Sequence, residues 1–591
     1  MNMVNIMNKL RVALISCLIT LTVCVPVTHA DEREDLTILR NTVVNLLQAL
    51  VEQGVMSQQQ AQALVQQAQQ NAEREIAEIK ASEVVPDDVV RVPYVPEIVK
   101  DEIRNQVRDQ LRAEVVADVV SHAKRERWGV KEALPSWLSR IKMSGDARVR
   151  GQGEFYNSSN APVSSANPYL DIAALNASGF NGIGNSVADG TDEFLNTTQD
   201  RYRERVRLRL NIDAKINEQF STGIRLTTGN TNNPVSTNQT VGNSANPYDL
   251  VIDKLFINYQ GNQAGSLAWL SATGGRMHTP WFGSDLLFDD DLSFEGLAAT
   301  AKFEFGGSGL YAMEHSNKAI FATLGAFPIE EYGKLSSRDK WMFGGQLGAS
   351  MKFDNQSQFK LAASYYNYTN VQSRLSDNTF DARIQESSDF FNASKPAALQ
   401  KGNTMGVIYN PADAVTGITS DTEAAYALAS DFDILNLTAQ YDLTMFAPYH
   451  LTLTADYVKN LGYDSSQVEQ RVGSDVVKGD EGYHFRVDYG WPRISHFGHW
   501  NVFAAYKHIE RDAVMDAFVD SDFHLGGTDA KGWELGANLG LAKNTWLSMT
   551  YRSTDEIDGP ANGNDNCNDD SSDINCNLSI DILQIDLNTR Y

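Results

Sequence analysis

The chain has 591 residues, of which 42% are apolar, with a formal net charge of −25 and a mean hydropathy of −0.33. A chain this negative is a poor partner for nucleic acid, because the two polyanions repel each other. A bundle of transmembrane helices is also excluded, since no run after residue 30 approaches about 18 consecutive apolar residues, whereas a β-barrel hides its apolar residues in alternation.

The first 30 residues have the order of a secretory signal. Lys9 and Arg11 precede an apolar run over 12–25, and small residues lead to Ala30. This order predicts a signal peptide, residues 1–30, that is cleaved after Ala30. We therefore expect an exported chain whose N-terminal region lies in the periplasm.

Residues 31–82 have apolar residues at three- and four-residue spacing, which is typical of amphipathic helices. Gly54 interrupts the pattern, and Ser57 with Gln60 resembles a capping box that opens a second helix. Two interpretations stay open for this region. The helices either pack on each other as a hairpin or associate with other copies as a coiled coil.

Three prolines mark residues 83–96 as a linker. An amphipathic helix followed by a hinge is predicted over 97–138. In an exported protein these helices could reach the cell wall, which is therefore a candidate partner.

From residue 139 onward, strict alternation of polar and apolar residues predicts β-strands. The clearest case is RYRERVRLRLNIDAKI at 201–216, with apolar residues at even positions and arginines at odd ones. The alternating segment is longer than an ordinary strand of a soluble protein, which has about 5–6 residues. The sixteen predicted strands are 141–155, 201–216, 220–229, 253–260, 266–277, 292–305, 309–315, 340–353, 358–368, 433–443, 449–460, 482–490, 499–511, 531–542, 544–553 and 578–591.

The predicted connections alternate in length. Short connections such as 217–219 alternate along the chain with long connections such as 156–200, 316–339 and 369–432. Outer membrane barrels have this asymmetry, with short periplasmic turns and long outer loops. We therefore predict an all-β transmembrane antiparallel barrel of about 16 strands over 139–591, preceded by an α-helical region.

Several segments resemble the putative porin family of Gram-negative outer membranes. They include LPSWLSRIKMSGDARVR at 134–150 and GRMHTPWFGSDLLFDDDLSFEGLA at 275–298, and the most specific is the run at 512–559 that begins DAVMDAFVDSDFHLGG. The resemblance implies an outer membrane barrel with periplasmic helices, a passive solute pore and a homotrimer, and it implies no particular solute. The last strand, which ends at Tyr591, also resembles the signal that the barrel-insertion machinery reads.

Basic residues concentrate on the predicted lumen face of the first three strands. They are Lys142, Arg148, Arg150, Arg203, Arg205, Arg207, Arg209 and Arg225. Neighbouring strands lie ~4.8 Å apart, so these side chains form a basic wall that attracts anions in a narrow pore. The alternative is that these arginines pair with acids from the loops. We expect only a slight anion preference, because the rest of the chain is acidic and screening over about 8 Å leaves selectivity to the constriction.

A candidate opposite wall is the connection after the strand at 266–277. It carries four aspartates: Asp285, Asp289, Asp290 and Asp291. This connection is short for a loop that folds into a barrel, and those at 156–200 and 369–432 are long enough to do so instead. The aspartates could also bind a divalent cation or cap a turn.

Cys567 and Cys576 are the only cysteines after the signal, and their spacing in an exported chain predicts a small-loop disulfide. Two thiols without a nearby histidine are too few ligands for a metal site. His450, His484 and His508 lie on predicted strands without a serine or aspartate at a recognisable spacing. No enzyme activity, cofactor or resident metal is therefore predicted. The favoured function is a diffusion porin, and the alternative is an outer membrane tether or adhesion protein that uses the helices and outer loops.

Overall fold

A computed structural model describes residues 140–160, 169, 171–173, 194–229, 233–261, 269–305, 317–331, 338–374, 394–409, 425–559 and 578–591. The predictions for 1–30, 31–82, 83–96 and 97–138, and for the disulfide between Cys567 and Cys576, lie outside these residues. Within the described ranges, no helix is long and apolar enough to cross a bilayer.

The described residues contain nineteen strands. Their bounds are β1 Ile141–Tyr156, β2 Arg201–Lys215, β3 Phe220–Thr228, β4 Gln239–Thr240, β5 Leu250–Gln260, β6 Leu270–Met277, β7 Phe294–Phe305, β8 Lys318–Glu330, β9 Lys340–Lys352, β10 Gln358–Thr369, β11 Met405–Tyr409, β12 Ala425–Leu428, β13 Asp433–Leu443, β14 His450–Asn460, β15 Glu481–Gly490, β16 Trp500–Ile509, β17 Ala530–Ala542, β18 Thr545–Glu556 and β19 Ser579–Arg590. Helix α1, Ser465–Val472, and two 3₁₀ turns, Asp516–Phe518 and Phe523–Leu525, lie in the connections.

Sixteen of the described strands close an antiparallel barrel. Each pairs with the next barrel strand in chain order, and β1 closes the barrel against β19, with Val149 opposite Leu587. The short strand β4 pairs with β2, and β11 with β12 forms a separate hairpin between β10 and β13. The predicted sixteen-stranded antiparallel barrel is confirmed.

One strand was predicted in the wrong place. The seventh barrel strand is β8, at Lys318–Glu330, inside the segment predicted as a long connection. The segment 309–315, predicted as that strand, lies outside the described residues. The alternation in β8 is weak because its lumen face is covered and therefore apolar too: Phe321 is buried, and Phe327 contacts the ring of Trp281.

The two faces of the barrel differ as the alternation predicts. On β2, Leu208 is exposed on the outer face, whereas Arg207 and Arg209 are ion-paired in the lumen. Aromatic pairs mark both ends of the outer face, namely Phe220–Tyr259 and Trp269–Phe303 at the turn end and Tyr506–Trp533 at the loop end. An apolar band between aromatic girdles is the surface that a bilayer requires.

The main hydrophobic core lies inside the barrel at the loop end. It is built from connections that fold inward and from the strands they touch, and it includes Trp281, Leu286, Leu287, Phe288, Phe327, Tyr366, Val514, Met515 and Val519. Each such side chain contributes about 1.5–3 kcal/mol when fully buried. This core holds the charged loops described below in fixed positions.

Candidate functional site

The 278–293 loop, which joins β6 to β7, folds into the lumen. The ring of Trp281 packs edge-on against Tyr366 of β10, with the ring centroids 5.1 Å apart. The side chain of Gln346 on β9 accepts a hydrogen bond from the Phe282 N–H (2.9 Å) and donates one to the Phe282 carbonyl (2.7 Å). These contacts fix the first half of the loop to one wall.

The middle of this loop reaches the opposite wall. Ser284 donates hydrogen bonds from its N–H and its hydroxyl to Asp456 of β14, at 2.9 and 2.8 Å. Asp285 forms an ion pair with Lys507 of β16 at 3.1 Å and lies 3.3 Å from Nδ1 of His484 on β15. The loop therefore spans the lumen.

Strand length explains how so short a loop can cross. β6 ends at Met277, which is paired with Phe294 at the start of β7. The neighbouring strand β5 continues past this level to Leu250. The loop thus leaves the wall part-way up the barrel, below its rim. All of its residues are therefore available to cross the lumen.

Two further connections, the 229–249 loop and the 510–529 loop, pack against the 278–293 loop, which is called the crossing loop from here on. The Ser521 N–H donates to Asp289 at 3.1 Å, and the Asp289 N–H donates to the Phe518 carbonyl at 2.8 Å. Longer connections support these loops from behind. In the described part of 369–432, for example, Asn403 donates to the carbonyl of Arg511 at 2.7 Å.

The aspartates of the crossing loop meet the predicted basic wall. Asp291 accepts ion pairs from Arg207 at 3.3 Å and from Arg209 at 2.9 Å. Both arginines also reach Asp146 of β1, at 3.2 and 2.8 Å. The structure therefore brings the two predicted groups together and pairs their charges.

The other predicted basic residues have varied partners. Arg150 is buried between Asp522 (2.7 Å) and Asp586 (2.8 Å), Arg148 donates to Asn238 (2.5 Å), Arg203 pairs with Glu154, Arg205 donates to Ser236 (3.3 Å), and Arg225 pairs with Asp253 (3.5 Å). Lys142 is exposed near the turn end of β1, opposite Asp213 in register. Arg148 and Arg205 thus contact neutral side chains of the 229–249 loop, and Arg148 also forms an ion pair with Asp586 at 3.7 Å.

Several charged lumen residues were not singled out from the sequence. They are Arg486, Lys507, Asp520, Asp522, Glu534 and Arg552. Arg486 pairs with Asp488 at 2.8 Å and lies 3.8 Å above the ring of Phe503, while Arg552 contacts Glu534. The members of this group that lie on strands occupy lumen-facing positions in the alternation of polar and apolar residues. That alternation could therefore have identified them from the sequence.

These groups surround a lumen cavity of about 360 Å³. Five arginines line it: Arg148, Arg207, Arg209, Arg486 and Arg552. Seven carboxylates line it as well: Asp285, Asp289, Asp290, Asp291, Asp520, Asp522 and Glu534. The cavity therefore has both signs of charge on its walls, with carboxylates in slight excess.

The loop carboxylates differ in their protonation. Burial favours the neutral acid, but the charge of Lys507 outweighs it and holds the pKa of Asp285 below its ordinary value. Arg207 and Arg209 do the same for the pKa of Asp291. Burial and the adjacent charge of Asp520 instead raise the pKa of Asp289 to about 9.

The raised pKa of Asp289 predicts a pH-dependent packing of the loops. Because the folded state favours the protonated acid, its stabilising contribution is fully present below the ordinary pKa near 3.8, falls as pH rises, and is lost above about pH 9. We expect current noise in single-channel recordings to increase from pH 5 to pH 9. Asp289→Asn should abolish this trend, because the amide keeps the acceptor for Ser521 without titrating; a noise level independent of pH in the unmodified protein would contradict the assignment.

In the described parts of the chain, no group of three or more histidine, cysteine, aspartate or glutamate side chains is arranged to hold a metal ion. Three aspartates of the crossing loop, Asp285, Asp289 and Asp291, instead contact lysine, arginine or backbone N–H groups.

A closed sixteen-stranded barrel with an apolar outer face and a charged lumen narrowed by an inward loop is an outer membrane channel of the porin class. Residues 40–591 match the family model described as "Putative porin", and the chain belongs to that family. No curated sequence matches the chain.

Solved structures similar to the chain include three outer membrane proteins. Salmonella typhi OmpF in complex with daunomycin is 10% identical, with a TM-score of 0.36, over 76% of this chain and 97% of that one. The outer membrane channel DcaP of Acinetobacter baumannii is 9% identical, with a TM-score of 0.36, over 77% and 98%. The OmpT loop-deletion mutant of Vibrio cholerae is 8% identical, with a TM-score of 0.34, over 76% and 100%.

Proposed function

We propose that this porin allows passive diffusion of small hydrophilic solutes. The observation that carries the proposal is the cavity of about 360 Å³ between the arginines and the loop carboxylates. Its volume is that of a small-molecule site, which ranges over about 300–1,000 Å³, and its walls are polar. Charges of opposite sign on facing walls orient dipolar solutes as they pass.

A slight anion preference is part of this proposal, and it is assigned to Arg148 and Arg205 of the basic wall. Arg205 donates to the neutral side chain of Ser236, and Arg148 donates to Asn238 and forms one long ion pair with Asp586 at 3.7 Å. Arg207 and Arg209 are each paired with two carboxylates, Asp146 and Asp291, at 2.8–3.3 Å. The excess of carboxylates around the cavity opposes any strong preference.

Conductance in planar bilayers tests the proposal directly. The purified protein should carry ion current, and a salt gradient should give a small reversal potential of the sign for anions. A folded barrel that passes no current would overturn the proposal and would favour the alternative, an outer membrane tether or adhesion protein.

Neutralising Arg148 and Arg205 together with glutamine should shift the reversal potential towards cations. Each charge removed from a wet pore is worth about 0.5–1 kcal/mol, so the permeability ratio should change about two- to fivefold per charge. The shift should shrink in 1 M salt, where screening acts over about 3 Å. Lys142→Gln, at the exposed turn end, is the control, and an equal shift in this variant would contradict the assignment.

We also propose the assembly and location that accompany this function. The barrel lies in outer membrane lipid as a homotrimer, with the N-terminal region in the periplasm. The end of β19 is the proposed signal for the barrel-insertion machinery. In support, the Tyr591 N–H donates to the Gly145 carbonyl at 3.0 Å, and the Tyr591 ring remains exposed.

A further inference from the structure

One arginine of the lumen cavity is more open to solutes than the others. The side chain of Arg486, on β15, is 28% exposed, whereas those of the other four arginines that line the cavity are 10–20% exposed. A solute that enters the cavity can therefore reach a larger fraction of Arg486 than of any of these four.

The donor groups of this arginine are already engaged. Asp488 accepts hydrogen bonds from Nε at 2.9 Å and from Nη2 at 2.8 Å, and Glu534 of β17 forms an ion pair with Nη1 at 3.5 Å. A guanidinium group donates only along its edges, so these contacts occupy the edges and balance the charge. A carboxylate of a solute would have to compete with two that are already in place.

One of the two faces of the guanidinium group is covered. Its Cζ atom lies 3.8 Å from the centroid of the Phe503 ring on β16, within the ~6 Å range of a cation–π contact. Phe503 lies opposite Gly536 of β17, where an added Cβ atom would clash with the ring. Gly536 therefore lets the ring lie against the wall, with Arg486 stacked above it.

The remaining exposed surface of Arg486 is its second face. The edges contact Asp488 and Glu534, the first face contacts Phe503, and Arg486 and Phe503 both line the cavity. A guanidinium face whose edges are engaged interacts by stacking, because it attracts the π-electrons of a planar ring. The shape of a solute therefore matters more than its charge for contact with this face.

We propose that the open face of Arg486 is a stacking site for small polar solutes that carry a planar aromatic ring. The ring of such a solute lies on the guanidinium group, which itself lies on Phe503. Because Asp488 and Glu534 balance the charge of Arg486, aromatic acids and aromatic amines are both retained in preference to their saturated analogues. The inference rests on the proposed diffusion function and adds a class of solute to it.

Two matched pairs of solutes measure this preference. Benzoate and cyclohexanecarboxylate are both anions, benzylammonium and cyclohexylmethylammonium are both cations, and only one member of each pair has a planar ring. The affinity of each solute is obtained from the concentration at which it reduces the single-channel current in a planar bilayer. The ring preference is the affinity of the aromatic member divided by that of the saturated member.

The unmodified protein should show a ring preference of about two- to fivefold in both pairs, which is the strength of a partly exposed cation–π contact. Apolar contact alone would favour the saturated ring, because it has the larger apolar surface. A preference for the planar ring therefore reports stacking.

Three variants alter the stack. Arg486→Lys keeps the charge but removes the planar group, Phe503→Leu removes the supporting ring, and Gly536→Ala displaces that ring. Each should lower the ring preference, and Arg486→Lys should lower it to about one. Arg552→Lys is the matched control, because Arg552 lines the same cavity and donates to Gln584 at 2.7 Å. It should retain the ring preference whatever its effect on the current.

Failure of this inference is distinct from failure of the proposed function. The proposed function fails if the unmodified protein carries no current. The stacking site is overturned if the unmodified protein conducts but shows no ring preference, or shows it in only one of the two pairs, since charge would then decide binding. It is also overturned if Arg486→Lys or Phe503→Leu conducts and keeps the full ring preference, or if Arg552→Lys loses it.

Discussion

Replacing Arg207 and Arg209 together with glutamate should turn the ion preference towards cations and free the crossing loop from the β2 wall. Both side chains are only 11% and 20% exposed, and both are held by Asp146 and Asp291. The double variant would set four carboxylates against each other. Loss of the partner of a buried charge costs about 3–5 kcal/mol, and the cost should fall at the lower end of that range because these side chains retain some contact with water. The reversal potential in a salt gradient measures the first effect, and open-channel noise measures the second.

A variant that is expected to shift the reversal potential in the opposite direction makes this prediction specific. Asp291→Asn removes the loop carboxylate of the two that both arginines share, so it should shift the reversal potential towards anions while also loosening the loop. Lys142→Glu changes the same charge as an arginine reversal but lies exposed at the turn end, and we expect it to have little effect. If the double glutamate variant and Asp291→Asn shifted the potential in the same direction, the filter would lie elsewhere in the pore.

Regular alternation made most of the barrel predictable. The strand predicted at 201–216 is β2, Arg201–Lys215, because its two faces differ sharply in polarity. The position of β8 was missed because both of its faces are apolar, one towards lipid and the other towards the crossing loop. A period of two identifies a strand only where its two sides have different surroundings.

The pairing of charges depends on barrel closure, which no local pattern contains. Arg150 and Asp522, which are 372 positions apart, meet at 2.7 Å only because β1 and the 510–529 loop face the same lumen. The same holds for Asp285 and Lys507. Alternation could place arginines on the lumen face, but which acids neutralise them follows from how the loops pack. This is why the sequence left open whether the arginines act as a free basic wall.

Trp281→Ala should detach the first half of the crossing loop and widen the pore. Trp281 is 7% exposed, and its ring contacts Tyr366 and Phe327. Truncation of a buried aromatic residue costs about 3–5 kcal/mol, which is a factor of at least 10² in the equilibrium between the docked and undocked loop. We expect higher single-channel conductance and weaker ion selectivity, with barrel folding retained because the β-strand hydrogen bonds are untouched.

Two neighbouring glycines on β9 separate loop displacement from general damage to the wall. A Cβ atom added at Gly344 would lie 2.6 Å from the Trp281 ring, whereas one added at Gly345 would meet only Leu324 on the outer face, at 3.4 Å. Gly344→Ala should therefore push Trp281 out of its site and raise the conductance as Trp281→Ala does, at an overpacking cost of about 1–3 kcal/mol. Gly345→Ala should leave the conductance unchanged. Equal conductance in the two glycine variants would mean that the position of Trp281 does not set the width of the pore, and the constriction would then have to be assigned to the 510–529 loop.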